Sequence, residues 1–130
     1  MTVRIEISFG ELVDRLTILE IKASRIEAPL KLVNIREELA SLSKSWVESV
    51  GPEISPDIFK IRQALKRVNE ILWDVEDAIR DHERNKNFGE SFIELARKVY
   101  VTNDERAQLK KRIDALMGSR FSEEKSYRAY

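Results

Sequence analysis

The sequence of 130 residues contains no cysteine, which excludes disulfides, cysteine-bound zinc, iron–sulfur clusters and a thiol nucleophile. It has only four glycines and three prolines, so helices are expected rather than a β fold with many tight turns. No apolar run of about eighteen residues is present, and no membrane span is predicted. The first residues also lack the pattern of a signal peptide. Together these features predict a cytoplasmic protein that has no contact with a membrane.

Neither sign of charge is in excess, because 23 lysines and arginines balance 23 aspartates and glutamates. A balanced chain has no overall attraction for nucleic acid or anionic lipid, and the composition therefore disfavours nucleic-acid binding. The length suits one domain over residues 1–130, which is large enough to bury a core without a structural metal. No repeat, low-complexity tract or linker divides it.

Apolar residues recur at helical spacing along most of the chain and predict five helices. Thr102 and Glu105 have the spacing of a capping box, which separates the last two helices. We therefore predict an all-α fold, an antiparallel helical bundle of three long helices plus two shorter C-terminal helices. The predicted helices cover residues 9–27, 30–50, 56–84, 91–101 and 104–117.

Residues 3–7, VRIEI, alternate apolar and charged side chains, which is typical of a short N-terminal β-strand. A strand has to pair with another segment, either elsewhere in this chain or in a second copy of it. Ser8 and Glu11, which have the spacing of a capping box, then begin the first helix.

The first predicted helix has apolar residues on two sides. Ile18 and Ile21 face away from its main stripe, and a helix that is apolar on two sides is usually buried on two sides. Either this helix lies in the middle of the bundle or its second face meets another subunit. We predict Ile18 and Ile21 as a homodimer interface. The main stripe consists of Leu12, Leu16, Leu19, Ala23 and Ile26.

An acidic row runs along the third predicted helix. Its members follow core positions by two residues, which is about 200° around a helix, so the row points away from the core. A metal site needs ligands that converge from more than one element. We therefore interpret the row as a solvated face and assign no metal, unless a second subunit covers it. The row consists of Glu70, Asp74, Asp77 and Asp81.

A polar line beside the core stripe of the same helix is a better candidate for ligand binding. An aromatic ring, an amide, an acid and a base along the rim of a helix–helix groove can form the floor of a pocket. The structural alternative is a buried tryptophan beside a Glu76–Arg80 ion pair. The aperiodic tail, with its three aromatic residues, is expected to fold back over the C-terminal helices. The candidate ligand-binding residues are Asn69, Trp73, Glu76, Arg80, Arg97, Tyr100, Asn103, Asp104 and Arg106.

Two other patterns have simpler structural interpretations. Glu11 and Asp14 have the spacing of acids that bind magnesium in all-α nucleotide pyrophosphohydrolases, but no second helix completes that pattern, and a structural role is expected. The basic run around Arg106, Lys110 and Lys111 is diluted by acids and is interpreted as a solvated face. The only histidine, His82, is expected to pack or cap a helix end rather than to act as a base.

Four blocks of the sequence resemble a family of small, all-helical bacterial proteins of unknown function. They are SFGELVDRLTILEIKASRI, VNEILWDVEDAIRDHE, FIELARKVYVTNDERAQLKKRID and GSRFSEEKSY, and they cover most of the chain. The resemblance implies a full-length relationship and a bacterial origin. It carries no activity, cofactor or catalytic residue over to this chain.

The sequence therefore predicts a cytoplasmic binding or assembly module that forms a homodimer or binds another protein. The alternative is an enzyme that acts on a phosphorylated or nucleotide-linked small molecule, with or without a metal ion. We assign no catalytic residue and no cofactor.

Overall fold

A computed structural model describes all 130 residues as four α-helices and no β-strand. The helices are α1 (Phe9–Arg25), α2 (Pro29–Val50), α3 (Pro56–Arg84) and α4 (Glu90–Met117). The all-helical class is confirmed, and the first three helices begin and end within two residues of their predicted bounds. None of the helices combines the length and the apolar character that a bilayer crossing requires.

The prediction of two separate C-terminal helices is wrong, because α4 is continuous through residues 102–104. Thr102, which the sequence suggests as a cap, lies in the middle of α4 and is buried. The inward-facing stripe of α4 continues through Thr102 to Arg106 and Lys110. Because these three side chains are polar, the apolar pattern is interrupted at positions where the helix is continuous.

The predicted strand at residues 3–7 is also wrong, and residues 1–8 have no regular secondary structure. No second strand exists in the chain to pair with this segment, and an isolated strand leaves its backbone groups without partners. The predicted cap at Ser8 is confirmed, because its hydroxyl accepts a hydrogen bond from the Glu11 N–H at 3.1 Å.

The central helix of the bundle is α1. It contacts each of the other three helices, whereas the backbone of α2 lies alongside that of α1 alone. This position explains the two apolar sides of α1, since Ile21 is buried within the chain. The core joins all four helices and consists of Leu12, Val13, Leu16, Trp46, Ile58, Ile61, Leu65 and Ile113.

The α3–α4 hairpin extends beyond α1. Helix α1 has 17 residues, whereas α3 has 29 and α4 has 28. At 1.5 Å per residue the two long helices exceed α1 by about 16–18 Å. Near the loop that joins α3 to α4, His82 Nε2 lies 3.0 Å from the Ser91 hydroxyl oxygen. Its Nδ1 lies 2.9 Å from the Ala78 carbonyl oxygen. His82 therefore has the packing role that the sequence suggests.

Gly10 allows the first turn of α1 to approach α4 closely. A Cβ atom at this position would lie 2.4 Å from the carbonyl oxygen of Lys110 and 2.8 Å from a carboxylate oxygen of Asp114. The Gly10 N–H donates a hydrogen bond to the same carboxylate at 2.7 Å. The contact involves the backbone of α4, so a larger side chain requires a shift of one helix relative to the other.

We expect Gly10→Ala to lower the free energy of unfolding by about 1–3 kcal/mol, the usual cost of overpacking. Gly89→Ala is the matched control, because a Cβ there meets only the Asn87 side chain at 3.6 Å. It is expected to cost at most about 1 kcal/mol, as for a helix N-cap glycine. Urea unfolding followed by circular dichroism measures both values. Equal losses in the two variants would contradict a close approach of α1 to α4.

Candidate functional site

Asp14 is the centre of a buried polar cluster between α1, α3 and α4. Its side chain is 1% exposed, and both carboxylate oxygens accept hydrogen bonds from Arg106 on α4, with Nε at 2.8 Å from Oδ1. The Asn69 amide donates to the same Oδ1 at 3.0 Å and to the Thr17 hydroxyl at 3.0 Å. The bidentate ion pair is the strong geometry for an arginine and a carboxylate. The ion pair joins α1 to α4, and the Asn69 hydrogen bond adds α3 to the cluster.

A second set of charges continues the cluster toward the C-terminal tail. The Lys110 ammonium lies 2.7 Å from the Glu11 carboxylate and 3.1 Å from that of Glu123. Asp114 accepts hydrogen bonds from the backbone N–H of Gly10 and, at 3.1 Å, from that of Glu123. A carboxylate at the first turn of α1 also interacts favourably with the helix dipole. The tail is thereby joined to both α1 and α4.

The neighbours of Glu11, Lys110 and Arg106 shift the pKa of each of these three groups in favour of its charged form. Burial by itself raises the pKa of Glu11, but the hydrogen bonds from Lys110 and Arg15 and the charge of Lys110 outweigh it, and the pKa lies below its ordinary 4.5. Burial lowers the pKa of Lys110, but its bonds to Glu11 and Glu123 outweigh this effect and raise the pKa above 10.5. The hydrogen bonds to Asp14 likewise raise the pKa of Arg106.

Every buried side-chain nitrogen and oxygen of the protein has a hydrogen-bond partner. The charges of the cluster are therefore used within the chain, where they orient α1 on α4 and anchor the tail. Glu11 and Asp14 have the structural role that the sequence suggests. The interpretation of the basic run as a solvated face is wrong for Arg106 and Lys110, because both turn inward and pair with carboxylates.

A cavity of about 880 Å³ lies between α4 and residues 125–130, and we call it the tail cavity. Tyr130 forms one side of it, with its ring centre 5.3 Å from that of Tyr100 and its hydroxyl donating to Asp104 at 2.6 Å. The tail thus folds back on α4, as the sequence suggests. Asn103 on α4 and Lys125, Tyr127 and Arg128 on the tail also line the cavity.

The predicted ligand-binding residues fall in three separate places. Asn69 and Arg106 belong to the buried cluster, and Tyr100, Asn103 and Asp104 line the tail cavity. The remaining four lie elsewhere on α3 and α4. Trp73 is half-buried under the Arg25 guanidinium, Glu76 and Arg80 form an exposed ion pair, and Arg97 is exposed.

The acidic row of α3 faces outward, as interpreted from the sequence. Asp74 forms an ion pair with Arg25 at 2.5 Å, and Asp81 forms one with Arg84 at 2.8 Å. No group of three or more histidine and carboxylate side chains is arranged to hold a metal ion.

Sequence reasoning missed one further charged group, in which Glu20 on α1 accepts hydrogen bonds from Arg62 and, at 3.0 Å, from Lys66. These residues line a smaller cavity of about 380 Å³. The sequence signal for this group is that Glu20 lies on α1, a helix with apolar residues on two sides. A charged residue on a helix that is buried on two sides needs a partner of opposite charge.

We expect Arg106→Ala to be strongly destabilising, because it leaves the Asp14 carboxylate buried and without its cationic partner. Breaking a buried pair costs about 3–5 kcal/mol, and partial exposure of Arg106 lowers the expected loss to about 2–4 kcal/mol. Arg80→Ala removes an exposed pair and is expected to change the free energy of unfolding by less than about 0.5 kcal/mol. Chemical unfolding of both variants tests this. Similar small losses would contradict the structural role of the cluster.

The charged cluster also predicts how stability depends on pH. The pKa of Glu11 is lowered in the folded state, so its contribution is present above 4.5 and is lost as pH falls through the folded value. The pKa of Lys110 is raised, so its contribution is present below 10.5 and is lost as pH rises through the folded value. We expect a plateau of the free energy of unfolding between these limits and a decline on either side.

Urea unfolding at a series of pH values measures this profile. Glu11→Gln should reduce the acid decline, and Lys110→Met should reduce the alkaline one. Part of the acid decline should remain in Glu11→Gln, because the pKa of Glu20 is also lowered by its bonds to Lys66 and Arg62. An acid decline that keeps its slope in Glu11→Gln would show that Glu11 makes no such contribution.

Comparison with known proteins identifies the family of the chain. It matches no curated protein and no solved structure. Residues 3–130 match a family of unknown function, DUF6165. The match covers nearly the whole chain, including the buried cluster and the tail cavity, so the protein belongs to the family of unknown function DUF6165.

Proposed function

We propose that this protein is a cytoplasmic assembly module that binds a second copy of itself through the outer face of α2. The observation that carries the proposal is a row of six residues, spaced as the a and d positions of a heptad repeat, on the side of α2 that faces away from α1. A cytoplasmic location and a bacterial origin remain predictions from the sequence. The sequence predicts self-association at Ile18 and Ile21, but Ile21 is buried within the chain and Ile18 is half-buried, so the two residues expose little surface to a second copy.

The outer face of α2 has the spacing of a coiled-coil seam. Its residues follow one another at intervals of three and four, which is the a and d pattern of a heptad. The apolar members are 83% exposed at Leu30, 52% at Val33 and 50% at Val47. The inner face, with Ile35 and Trp46, already packs against α1 and the core. The outer seam consists of Leu30, Val33, Glu37, Ala40, Lys44 and Val47.

The outer seam is complementary to itself when two copies of α2 lie antiparallel. In that arrangement Leu30 of one copy faces Val47 of the other, and the same contact recurs at the opposite end, as a two-fold axis requires. Glu37 then lies within one turn of Lys44 of the second copy. Glu37 has no ion-pair partner in its own chain, and Lys44 has only an exposed contact with Glu48 at 3.8 Å.

The amount of exposed surface also supports a partner. The chain exposes 9413 Å² and has a mass of 15.2 kDa. A compact monomer of that mass exposes about 7,100 Å². Most residues of α2, of the first six residues and of the tail are exposed. A standard dimer interface requires only about 800 Å² from each partner.

We expect the wild-type protein to sediment as a dimer at micromolar concentration and Val47→Glu to sediment as a monomer. In the antiparallel arrangement Val47 faces Leu30 of the second copy, so the glutamate places a charge against an apolar side chain. Ile93→Glu is the matched control, because Ile93 has a similar exposure but lies on α4. It should leave the mass unchanged. A wild-type monomer at high micromolar concentration would overturn the proposal.

Charge exchange tests the antiparallel arrangement. Glu37→Lys and Lys44→Glu should each weaken the dimer by placing like charges within one turn of each other, and the double variant should restore it. Analytical ultracentrifugation of the three variants gives the dissociation constants. A double variant that is as weak as the single variants would contradict this pairing of the two seams.

A second candidate function is an enzyme that acts on a phosphorylated or nucleotide-linked small molecule. The observation that favours it is the tail cavity, which brings Tyr100, Asn103 and Asp104 together beside two basic side chains. Asp104 is the carboxylate of this cavity that would act as general base, and it could do so only after the Tyr130 hydroxyl releases it.

A further inference from the structure

All three tyrosines of the chain line one cavity. The sequence contains only Tyr100, Tyr127 and Tyr130, and each of them borders the tail cavity. The two tail tyrosines are 80% exposed, so their rings are not used to build the core. Flat aromatic surfaces that remain open to solvent are suited to stacking with a ligand ring, because every planar base has a π-face to offer.

The basic side chains of the cavity have no acidic partner. Neither Lys125 nor Arg128 forms an ion pair or a side-chain hydrogen bond. The Lys125 ammonium makes a cation–π contact with the Tyr127 ring, 5.6 Å from its centre. The smaller cavity differs in this respect, because Glu20 neutralises Arg62 and Lys66 there. The tail cavity therefore keeps two free cations beside its aromatic rings.

Asp104 is the only acidic residue in the lining of the tail cavity. Its carboxylate accepts the hydroxyl of Tyr130 at 2.6 Å, and that hydrogen bond raises the pKa of Tyr130. The lining nevertheless carries two positive charges, on Lys125 and Arg128, against the single negative charge of Asp104. An anionic group is therefore favoured over a cation.

We propose that the tail cavity binds a nucleotide, with the base against the tyrosine rings and the phosphates on Lys125 and Arg128. The Asn103 amide offers both donor and acceptor groups to the base or the ribose. The volume of about 880 Å³ is within the usual range for small-molecule sites. The inference shares its cavity with the second candidate function but requires no catalysis, and it is independent of the seam on α2.

The test is calorimetric titration of the full-length protein with ADP, GDP, CDP and UDP, and separately with adenosine and inorganic pyrophosphate. We expect at least one of the nucleoside diphosphates to bind about tenfold more tightly than either fragment, because it alone engages both rings and cations. No binding of any of the four at millimolar concentration would overturn the proposal. Pyrophosphate that binds as tightly as the nucleotides would also overturn it, because the tyrosines would then have no role.

Two variants separate the parts of the site. Arg128→Ala should weaken binding of the nucleotide about tenfold while leaving adenosine unchanged, and Tyr127→Ala should weaken both. Arg67→Ala and Phe88→Ala are the matched controls, because each removes an exposed side chain of the same kind outside the cavity. Tail variants that bind as tightly as these controls would overturn the proposal.

Two further measurements locate the bound nucleotide and separate the test of the nucleotide site from the test of the α2 dimer. Amide chemical shifts should change at residues 99–104 and 125–130, and changes confined to the smaller cavity at Arg62 and Lys66 would overturn the assignment. Glu37→Lys should leave nucleotide affinity unchanged, and Tyr127→Ala should leave the sedimenting mass unchanged. Failure of the dimer and failure of the nucleotide site are therefore distinguishable.

Discussion

The bidentate ion pair between Asp14 and Arg106 is the interaction on which the arrangement of the helices depends. The two residues are separated by 92 positions in the sequence, and the pair joins the helix in the middle of the bundle to the C-terminal helix. A carboxylate this deeply buried is tolerated only when it is paired and its remaining lone pairs are used. Arg106 supplies the charge and Asn69 supplies a further hydrogen bond, so α1, α3 and α4 meet in a single geometry.

The sequence predicted the first three helices well because their signals are local. Ser8 and Ser55 cap two of them with their own side chains, and proline or glycine stands at the breaks. The same kind of signal was misleading at Thr102, where a capping-box spacing occurs inside a helix. The stripe of α4 is polar at Thr102, Arg106 and Lys110 because these positions face the buried cluster. The spacing of apolar residues cannot identify a helix at positions where the buried side chains are polar.

The candidate site was predictable only in part, for a related reason. The Glu76–Arg80 pair lies one helical turn apart and follows from spacing alone. The pairs of Lys110 with Glu11 and Glu123 depend on how α1 and the tail meet α4, and no local rule supplies that information. Arg106 was predicted both as a candidate ligand-binding residue and as part of a solvated basic face, but its partner is the buried Asp14. A lone charged residue at an inward position of a helix is the signal that a distant partner exists.

The buried cluster and the tail cavity are physically linked through Glu123. Its side chain pairs with Lys110 and its backbone N–H donates to Asp114, so the tail leaves the bundle at a defined point on α4. Tyr127 follows Glu123 by only four positions and Tyr130 follows it by seven, so the reach of the chain is short. Both rings consequently return to the middle of α4, beside Tyr100 and Asp104. The same charges that orient α1 on α4 therefore also determine where the exposed tyrosines of the tail lie.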